Sequence, residues 1–129
     1  MKQKKIGTFA MGHENVDLYA LPDERGGFCH LRPDYASLGR IHVGLGGAKW
    51  HECAEILLHE SLEFLMLRMS FAHGTLGEMA DDVGQRVFMF THTQFSEMCA
   101  RQATFVATAL PELEKAWKKA NKRGKHKNE

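Results

Sequence analysis

The sequence has few cysteines and no long apolar run. Its 129 residues include three cysteines, Cys29, Cys53 and Cys99, with no closely spaced pair. This argues against a disulfide framework and against a zinc ribbon, and it fits reduced thiols. The longest apolar runs, such as residues 64 to 67, fall far short of the roughly 18 residues of a membrane helix. The N-terminus also lacks the apolar core of a signal peptide. These absences predict a cytoplasmic protein with no membrane partner.

Composition predicts one globular domain followed by a basic tail. Hydrophobic residues make up 43% of the chain and charged residues 26%, as in soluble domains. We expect the domain to span residues 1 to 113. Residues 114 to 129 carry seven Lys or Arg against two Glu, and we expect this tail to fray into solvent. Because Trp117 is its one aromatic residue, the tail gives little support to nucleic-acid binding.

Alternation of polar and apolar residues predicts three strands in the N-terminal part. Residues 15 to 21 and 28 to 33 flank the turn-forming sequence PDERGG, which predicts a β-hairpin. Residues 40 to 45 alternate again and are followed by Gly46 and Gly47, which predicts a third strand.

The remainder of the chain is predominantly helical in pattern. Residues 48 to 71 contain no proline or glycine, which predicts a long helix. A loop with one helical turn at most should follow, and RVFMF (86 to 90) fits a short strand or the lead into a helix. Thr91 and Gln94 form a capping-box pattern that predicts a second helix, and Pro111 suits the first turn of a third. The expected fold class is α+β, with a small twisted sheet packed on a long central helix and one or two further helices.

The first predicted helix carries a polar stripe between two apolar flanks. With His59 at zero on a helical wheel, Glu52, Glu55 and Glu63 lie within roughly 40° of it, whereas Glu60 lies about 100° away. One interpretation is a solvated face, in which spaced His/Glu contacts contribute a few tenths of a kcal/mol each. The other is a buried stripe, where a bound metal would offset the cost of burying carboxylates. In that case His59 pairs with Glu63 or with Glu55.

The stretch LLHESLE contains H-E-x-x-E, one residue away from the H-E-x-x-H motif of zinc peptidases. In that motif the first Glu is the general base that takes a proton from water activated by the metal. His51 lies about 12 Å along the helix from His59, so the two cannot hold one ion. The third ligand must come from elsewhere, and the candidates are His92, His73 and His42.

Two runs, GRIHVGLGGAKWHECAEILLHESLEFL and THTQFSEMCARQATFVATAL, carry a resemblance to a known family. They resemble the small zincin-like proteins of phages and prophages, which are distant relatives of the ImmA/IrrE metallopeptidases. The resemblance covers residues 40 to 110. It implies a zincin-like fold in the host cytoplasm, with zinc held by His59, Glu63 and His92 and with Glu60 as catalytic base. Glu63 stands where these peptidases have His, which lowers the net charge of the site and weakens activation of water.

Three functional hypotheses follow. The leading one is a zinc-dependent metallopeptidase-like protein, a hydrolase that acts on a peptide carbonyl of a protein or peptide substrate. The alternative is a non-catalytic accessory protein that uses the fold as a protein-interaction module. The third is a di-metal helical bundle, which a single Glu/His helix does not favour. Cys53 and Cys99 lie on apolar helix faces and are expected in the core.

Overall fold

The computed structural model describes residues 2 to 31, 38 to 69, 71 to 74 and 86 to 127, and it confirms the α+β class. Within these ranges, the side chains of residues 71 to 74, 86, 87 and 123 to 127 are left out of the description. The described elements, in chain order, are β1 (Lys4–Met11), β2 (Glu14–Leu21), β3 (Gly27–His30), β4 (Gly39–Gly44), α1 (Trp50–Met69), β5 (Phe71–Gly74), β6 (Arg86–Met89) and α2 (His92–Lys127).

Strands β1 to β4 form one mixed sheet in the order β1-β2-β4-β3. β2 pairs antiparallel with β1 and parallel with β4, and β4 pairs antiparallel with β3. The predicted hairpin between residues 15 to 21 and 28 to 33 is therefore wrong, because β4 lies between its two strands. The loop expected to be its tight turn instead contacts the end of β4, where the Gly44 amide donates to the Gly26 carbonyl. The third predicted strand is confirmed as β4.

β1 was not predicted from the sequence. Its first strand residues, Lys4 and Lys5, are exposed at the sheet edge, and a register shift between Lys5 and Gly7 breaks the alternation that a strand prediction relies on. β5 and β6 form a separate antiparallel pair. Of the two alternatives for RVFMF, the strand is therefore the one observed, whereas most of the predicted loop, residues 75 to 85, lies outside the described residues.

The core lies between one face of the mixed sheet and the two helices. Leu18 and Ile41 are cross-strand neighbours that are both fully buried, and they pack in one cluster with Leu57, Phe64 and Phe105 of the helices. Gly27 of β3 approaches α1, and Phe9 of β1 contacts the Phe105 ring of α2 edge to face. The helices thus cover the same face of the sheet.

α1 and α2 run antiparallel. Gln94 Nε2 donates to the Met69 carbonyl near one end of the pair, and Trp117 Nε1 donates to the carbonyl of Ala48, just before α1, at the other. The predicted long helix is confirmed, since α1 spans Trp50–Met69. No helix in the described part of the chain is both long enough and apolar enough to cross a membrane.

The start of α2 is confirmed and its predicted end is wrong. Thr91 and Gln94 form the reciprocal capping box: the Gln94 amide donates to Thr91 Oγ1, and the Thr91 amide donates to Gln94 Oε1. Pro111, however, lies inside one continuous helix of 36 residues, and no third helix begins there. Residues 114 to 122, which were expected to fray, continue this helix. Pro111 is exposed and has no amide hydrogen, so the helix lacks one hydrogen bond there. Leu113, two residues further on, is fully buried, and its tertiary packing offsets this loss.

The two helical cysteines differ in environment. Cys53 is buried, as predicted, and its thiol faces the Gly44 carbonyl at 3.7 Å. Burial raises the pKa of Cys53 to about 11, which is typical of an unreactive structural thiol. The same prediction for Cys99 is wrong, because Cys99 is exposed on α2.

Candidate functional site

The polar stripe of α1 faces solvent rather than the core. His51, Glu55 and His59 are exposed, and the His59 side chain keeps 70% of its accessible surface. The interpretation of a buried stripe is therefore wrong, because the buried apolar residues Cys53, Leu57 and Phe64 occupy a different side of the helix. The buried member of the H-E-x-x-E motif is Glu60, whose side chain is 9% exposed.

Three side chains of the motif converge at one point of the helix surface. His59 Nε2 lies 3.3 Å from Glu63 Oε2 and 3.8 Å from Glu60 Oε2. One ligand atom from each of the three residues lies within 4.8 Å of the other two, and among the described residues they form a group that could hold a metal ion. The i and i+4 spacing of His59 and Glu63 places both on the same helical face. The structure thus brings together three of the four predicted site residues.

A pocket of about 390 Å³ opens beside this cluster. Its lining residues come from α1 and from the start of β3: Gly26, Gly27, Glu52, Glu55, Ile56, His59 and Glu60. Gly27 allows the strand to approach the helix, because a Cβ there would lie 2.6 Å from Ile56 Cγ2 and 2.5 Å from the His42 carbonyl oxygen. Any larger residue at position 27 would push β3 away from α1 and widen the gap beside Glu60.

The Glu60 carboxyl group sits where the pocket meets the core. Burial raises the pKa of Glu60, and the nearby Glu63 carboxylate raises it further. His59 and a hydrogen bond with the Cys29 side chain act on the pKa of Glu60 in the opposite direction. Because burial is the largest of these effects, Glu60 holds a proton at higher pH than an exposed glutamate does. A raised pKa favours a role for this carboxyl group in proton transfer.

The candidate third ligands do not join the cluster. His92 is exposed at the first residue of α2, where its ring lies 6.4 Å from the Phe95 ring, and it is not part of the group formed by His59, Glu60 and Glu63. His42 is buried on the opposite face of the sheet, stacked between Tyr19 and Phe28. The side chain of His73 lies outside the described residues. Glu55, the alternative partner of His59, lines the pocket but is not in the cluster either.

Sequence reasoning missed the contribution of β3 to the site. The Cys29 thiol hydrogen-bonds with the Glu60 carboxyl group, and Gly26 and Gly27 form one wall of the pocket. Residues 27 and 29 share a strand face, which the alternation of β3 could have indicated. No sequence signal identified α1 as the element that this face contacts.

The donor set of the cluster fits a divalent cation. Imidazole nitrogen and carboxylate oxygen are both zinc ligands, and zinc-ligand bonds of about 2.0–2.2 Å place ligand atoms roughly 3.5 Å apart in a tetrahedral site. Side-chain rotation can therefore bring His59 and Glu63 onto one ion without backbone movement, given their separation of 3.3 Å. When His59 is neutral and both glutamates are ionised, the cluster has a charge of −2, which attracts a cation.

Comparison with known proteins found no match to this chain. No protein-family model matches the chain, and neither a curated protein nor a solved structure does. The resemblance to zincin-like proteins of phages and prophages therefore stays a prediction.

Proposed function

We propose that the protein is a zinc-dependent, metallopeptidase-like hydrolase of zincin type. His59 and Glu63 hold the zinc, and Glu60 is the catalytic base. The observation that carries this proposal is the convergence of His59, Glu60 and Glu63 within 4.8 Å at the edge of an open pocket. The same residues form the H-E-x-x-E motif, so the sequence pattern and the geometry point to the same chemistry.

The two glutamates have different environments, which supports different roles. Glu63 is about 30% exposed and pairs with His59, so it is available as a ligand at the surface. Glu60 is buried and has a raised pKa, so its carboxylate accepts a proton more readily than an exposed glutamate does. Zinc, when bound, makes water acidic enough to be used as a nucleophile near neutral pH. Glu60 takes the proton as water attacks, and it can return that proton to the leaving amine.

The shape of the pocket favours an extended substrate over a small ligand that would be enclosed by the protein. It is open to solvent, and its volume of about 390 Å³ falls within the range of ligand pockets. Partly buried Ile56 supplies an apolar wall next to Glu60, which suits a side chain beside a peptide carbonyl. These features favour a peptide as substrate.

The proposal is tested by zinc-dependent hydrolysis of a random peptide library, with cleavage followed by mass spectrometry. We expect the wild type to cleave after zinc addition and to lose this activity with a chelator. Glu60→Gln should reduce cleavage at least about 100-fold while zinc binding persists, because the base is lost and both ligands remain. Glu55→Gln, which changes an exposed carboxylate of the same pocket, is the matched control and should keep most of the activity. Cleavage that survives Glu60→Gln would contradict the proposed role.

A second candidate function is a protein-interaction module without catalysis. The observation that favours it is a set of exposed large apolar side chains on α1, at the end of β6, just before α2 and on α2: Leu58, Leu62, Met89, Phe90 and Phe95. Exposed aromatic and aliphatic side chains are typical of surfaces that bind other proteins. The peptide-library experiment separates the two functions, because an interaction module predicts no zinc-dependent cleavage in any variant.

A further inference from the structure

Lysines from two distant parts of the sequence lie at one end of the molecule. Lys4 begins β1, where it pairs with Ala20 at the end of β2, and Ala20 pairs in turn with Val43 at the end of β4. The chain leaves β4 at this end and enters α1. Trp117 of α2 donates to the Ala48 carbonyl just before α1, so the C-terminal part of α2 reaches the same end.

The lysines in this part of α2 lie toward the side of the helix that faces β1. Arg101 marks that side, because a Cβ at Gly12, in the turn between β1 and β2, would lie 2.7 Å from Arg101 Cγ. Lys119 follows Arg101 by 18 residues, or about five helical turns, so both lie on the same side of α2. Lys118 and Lys122 lie within about 100° of Lys119 around the helix.

The first lysine of β1 projects on the side of the sheet that α2 covers. Asp17 precedes the core residue Leu18 and therefore lies on the outer face of the sheet. Lys5 pairs with Asp17 there at 3.3 Å, so the adjacent Lys4 points to the helical side. The exposed lysines that form no ion pair with any described residue define the basic surface: Lys4, Lys118, Lys119 and Lys122.

The acidic groups of the molecule lie away from the basic surface. The pocket with its glutamates is at the β3 edge of the sheet, whereas the basic surface is at the opposite edge, formed by β1. Asp23 and Glu24, at the same end of the sheet, lie in the loop that packs on the end of β4. Glu114 lies about 140° around α2 from Lys119. This separation of charge steers a polyanion to the basic surface.

We propose that the basic surface binds the phosphate backbone of a nucleic-acid duplex without reading its sequence. A duplex carries one negative charge per about 1.7 Å of its axis, and lysines fixed on one face of a helix neutralise such closely spaced charges. Lysine contacts with phosphates carry no sequence information. This inference goes beyond the proposed function and depends on neither zinc nor the His59 cluster.

Two features favour a duplex over other anionic partners. The apolar side chains of this helix end, Ala116, Trp117 and Ala120, pack against the core and are therefore not available for insertion into a membrane. Single strands bind chiefly by stacking their bases on aromatic rings, and Trp117 is the one aromatic residue of this segment. The low aromatic content thus argues against a single-stranded ligand, but a duplex backbone needs no stacking.

Fluorescence anisotropy with a labelled DNA duplex of about 20 base pairs, at a series of salt concentrations, tests the inference. We expect a dissociation constant on the order of 10⁻⁴ to 10⁻⁶ M near physiological salt, with tighter binding at lower salt. A triple variant with Gln at positions 118, 119 and 122 should weaken binding at least about tenfold. It should also reduce the slope of log affinity against log salt by about 2 to 3, because each lysine contributes about 1.

Single variants give a matched control. Lys119→Gln should reduce the slope by about 1, whereas Lys49→Gln, which removes an exposed lysine just before α1, should leave it unchanged. These substitutions change exposed side chains, and circular dichroism checks that the variants remain folded. Equal affinity and slope in the triple variant and the wild type would overturn the role of the basic surface.

Two further probes decide the class of partner. A single-stranded oligonucleotide of the same length should bind more weakly than the duplex, and vesicles of phosphatidylcholine with about one fifth phosphatidylserine should not sediment with the protein. Tighter binding to the single strand, or binding to vesicles without binding to the duplex, would overturn the duplex assignment. No anisotropy change at low salt would overturn nucleic-acid binding altogether and leave the proposed hydrolase function untouched.

Discussion

His42 is the most unusual single residue of the sheet. Its ring is stacked between Tyr19 and Phe28, with ring centroids 5.0 and 4.1 Å away, and only 3% of the residue is exposed. Its Nδ1 atom is buried and has no hydrogen-bond partner among the described residues. Burial lowers the pKa of His42 to about 4, and the nearby His30 and Arg40 side chains contribute in the same direction. The imidazole is therefore neutral in the folded protein at neutral pH.

This lowered pKa predicts that stability falls in mild acid. Between pH 6.5, the ordinary pKa of histidine, and about pH 4, the unfolded chain binds a proton at His42 and the folded chain does not. The contribution of the neutral His42 ring to the free energy of unfolding is therefore fully present above pH 6.5. It is lost as the pH falls from 6.5 to about 4. The loss should be on the order of 3 kcal/mol. Urea unfolding at a series of pH values measures it.

Two variants isolate the contribution of His42 to that pH dependence. His42→Phe keeps an aromatic ring between Tyr19 and Phe28 but cannot bind a proton, so it should flatten the pH dependence between pH 6.5 and 4. His13→Gln removes an exposed histidine in the turn between β1 and β2 and should leave the slope unchanged. An equal slope in His42→Phe and wild type would show that other groups cause the acid sensitivity.

At the scale of elements, α2 is the part whose role differs most from expectation. Its 36 residues join the capping box at Thr91 to a contact near the start of α1, where Trp117 Nε1 donates to the Ala48 carbonyl at 2.8 Å. The rings of Trp117 and Trp50 also lie 5.8 Å apart. The basic C-terminal segment through residue 122 is thus part of the packed structure, although its lysines remain exposed.

Trp117→Ala tests whether this end of α2 is docked. We expect it to lower the free energy of unfolding by about 2 kcal/mol, because it removes partly buried aromatic surface and the hydrogen bond to Ala48. Lys118→Ala, at the next position but exposed, is the control and should change stability by less than about 0.5 kcal/mol. If residues from 114 onward frayed into solvent, the two variants would be equally stable in urea unfolding.

Local sequence signals predicted some elements correctly and failed on others for identifiable reasons. The prediction of α1 depends on an uninterrupted run of helix formers, that of β4 on polar and apolar alternation, and that of the start of α2 on a capping box. Each of these signals acts within a few residues. The pairing of β2 with β4 depends on contacts across about 23 positions, so the intervening turn sequence misled the hairpin prediction. Pro111 misled the helix prediction because a sequence pattern shows only the local helix propensity of proline, which is unfavourable. The burial of Leu113 and Ala109 on either side of it depends on tertiary contacts, which the local pattern does not contain.

At the scale of the whole molecule, the candidate site lies where α1 meets the β3 edge of the sheet. The His59, Glu60 and Glu63 cluster could be predicted from one helical stretch, because its members are neighbours along the chain. The pocket wall and Cys29 could not be, because they lie about 30 residues away and reach Glu60 only through the packing of β3 on α1. Burial of Glu60 follows from the same packing, which the wheel of an isolated helix does not contain.

The zinc content of tag-free protein, measured by inductively coupled plasma mass spectrometry, shows whether His59 holds a metal ion. The wild type should contain about one zinc per chain after equilibration with zinc and removal of excess metal. His59→Ala should lose it, whereas His51→Ala, an exposed histidine of the same helix outside the cluster, should retain it. A wild type that retains no zinc, or a His59→Ala variant that binds zinc as well as the wild type does, would contradict the metal site at His59.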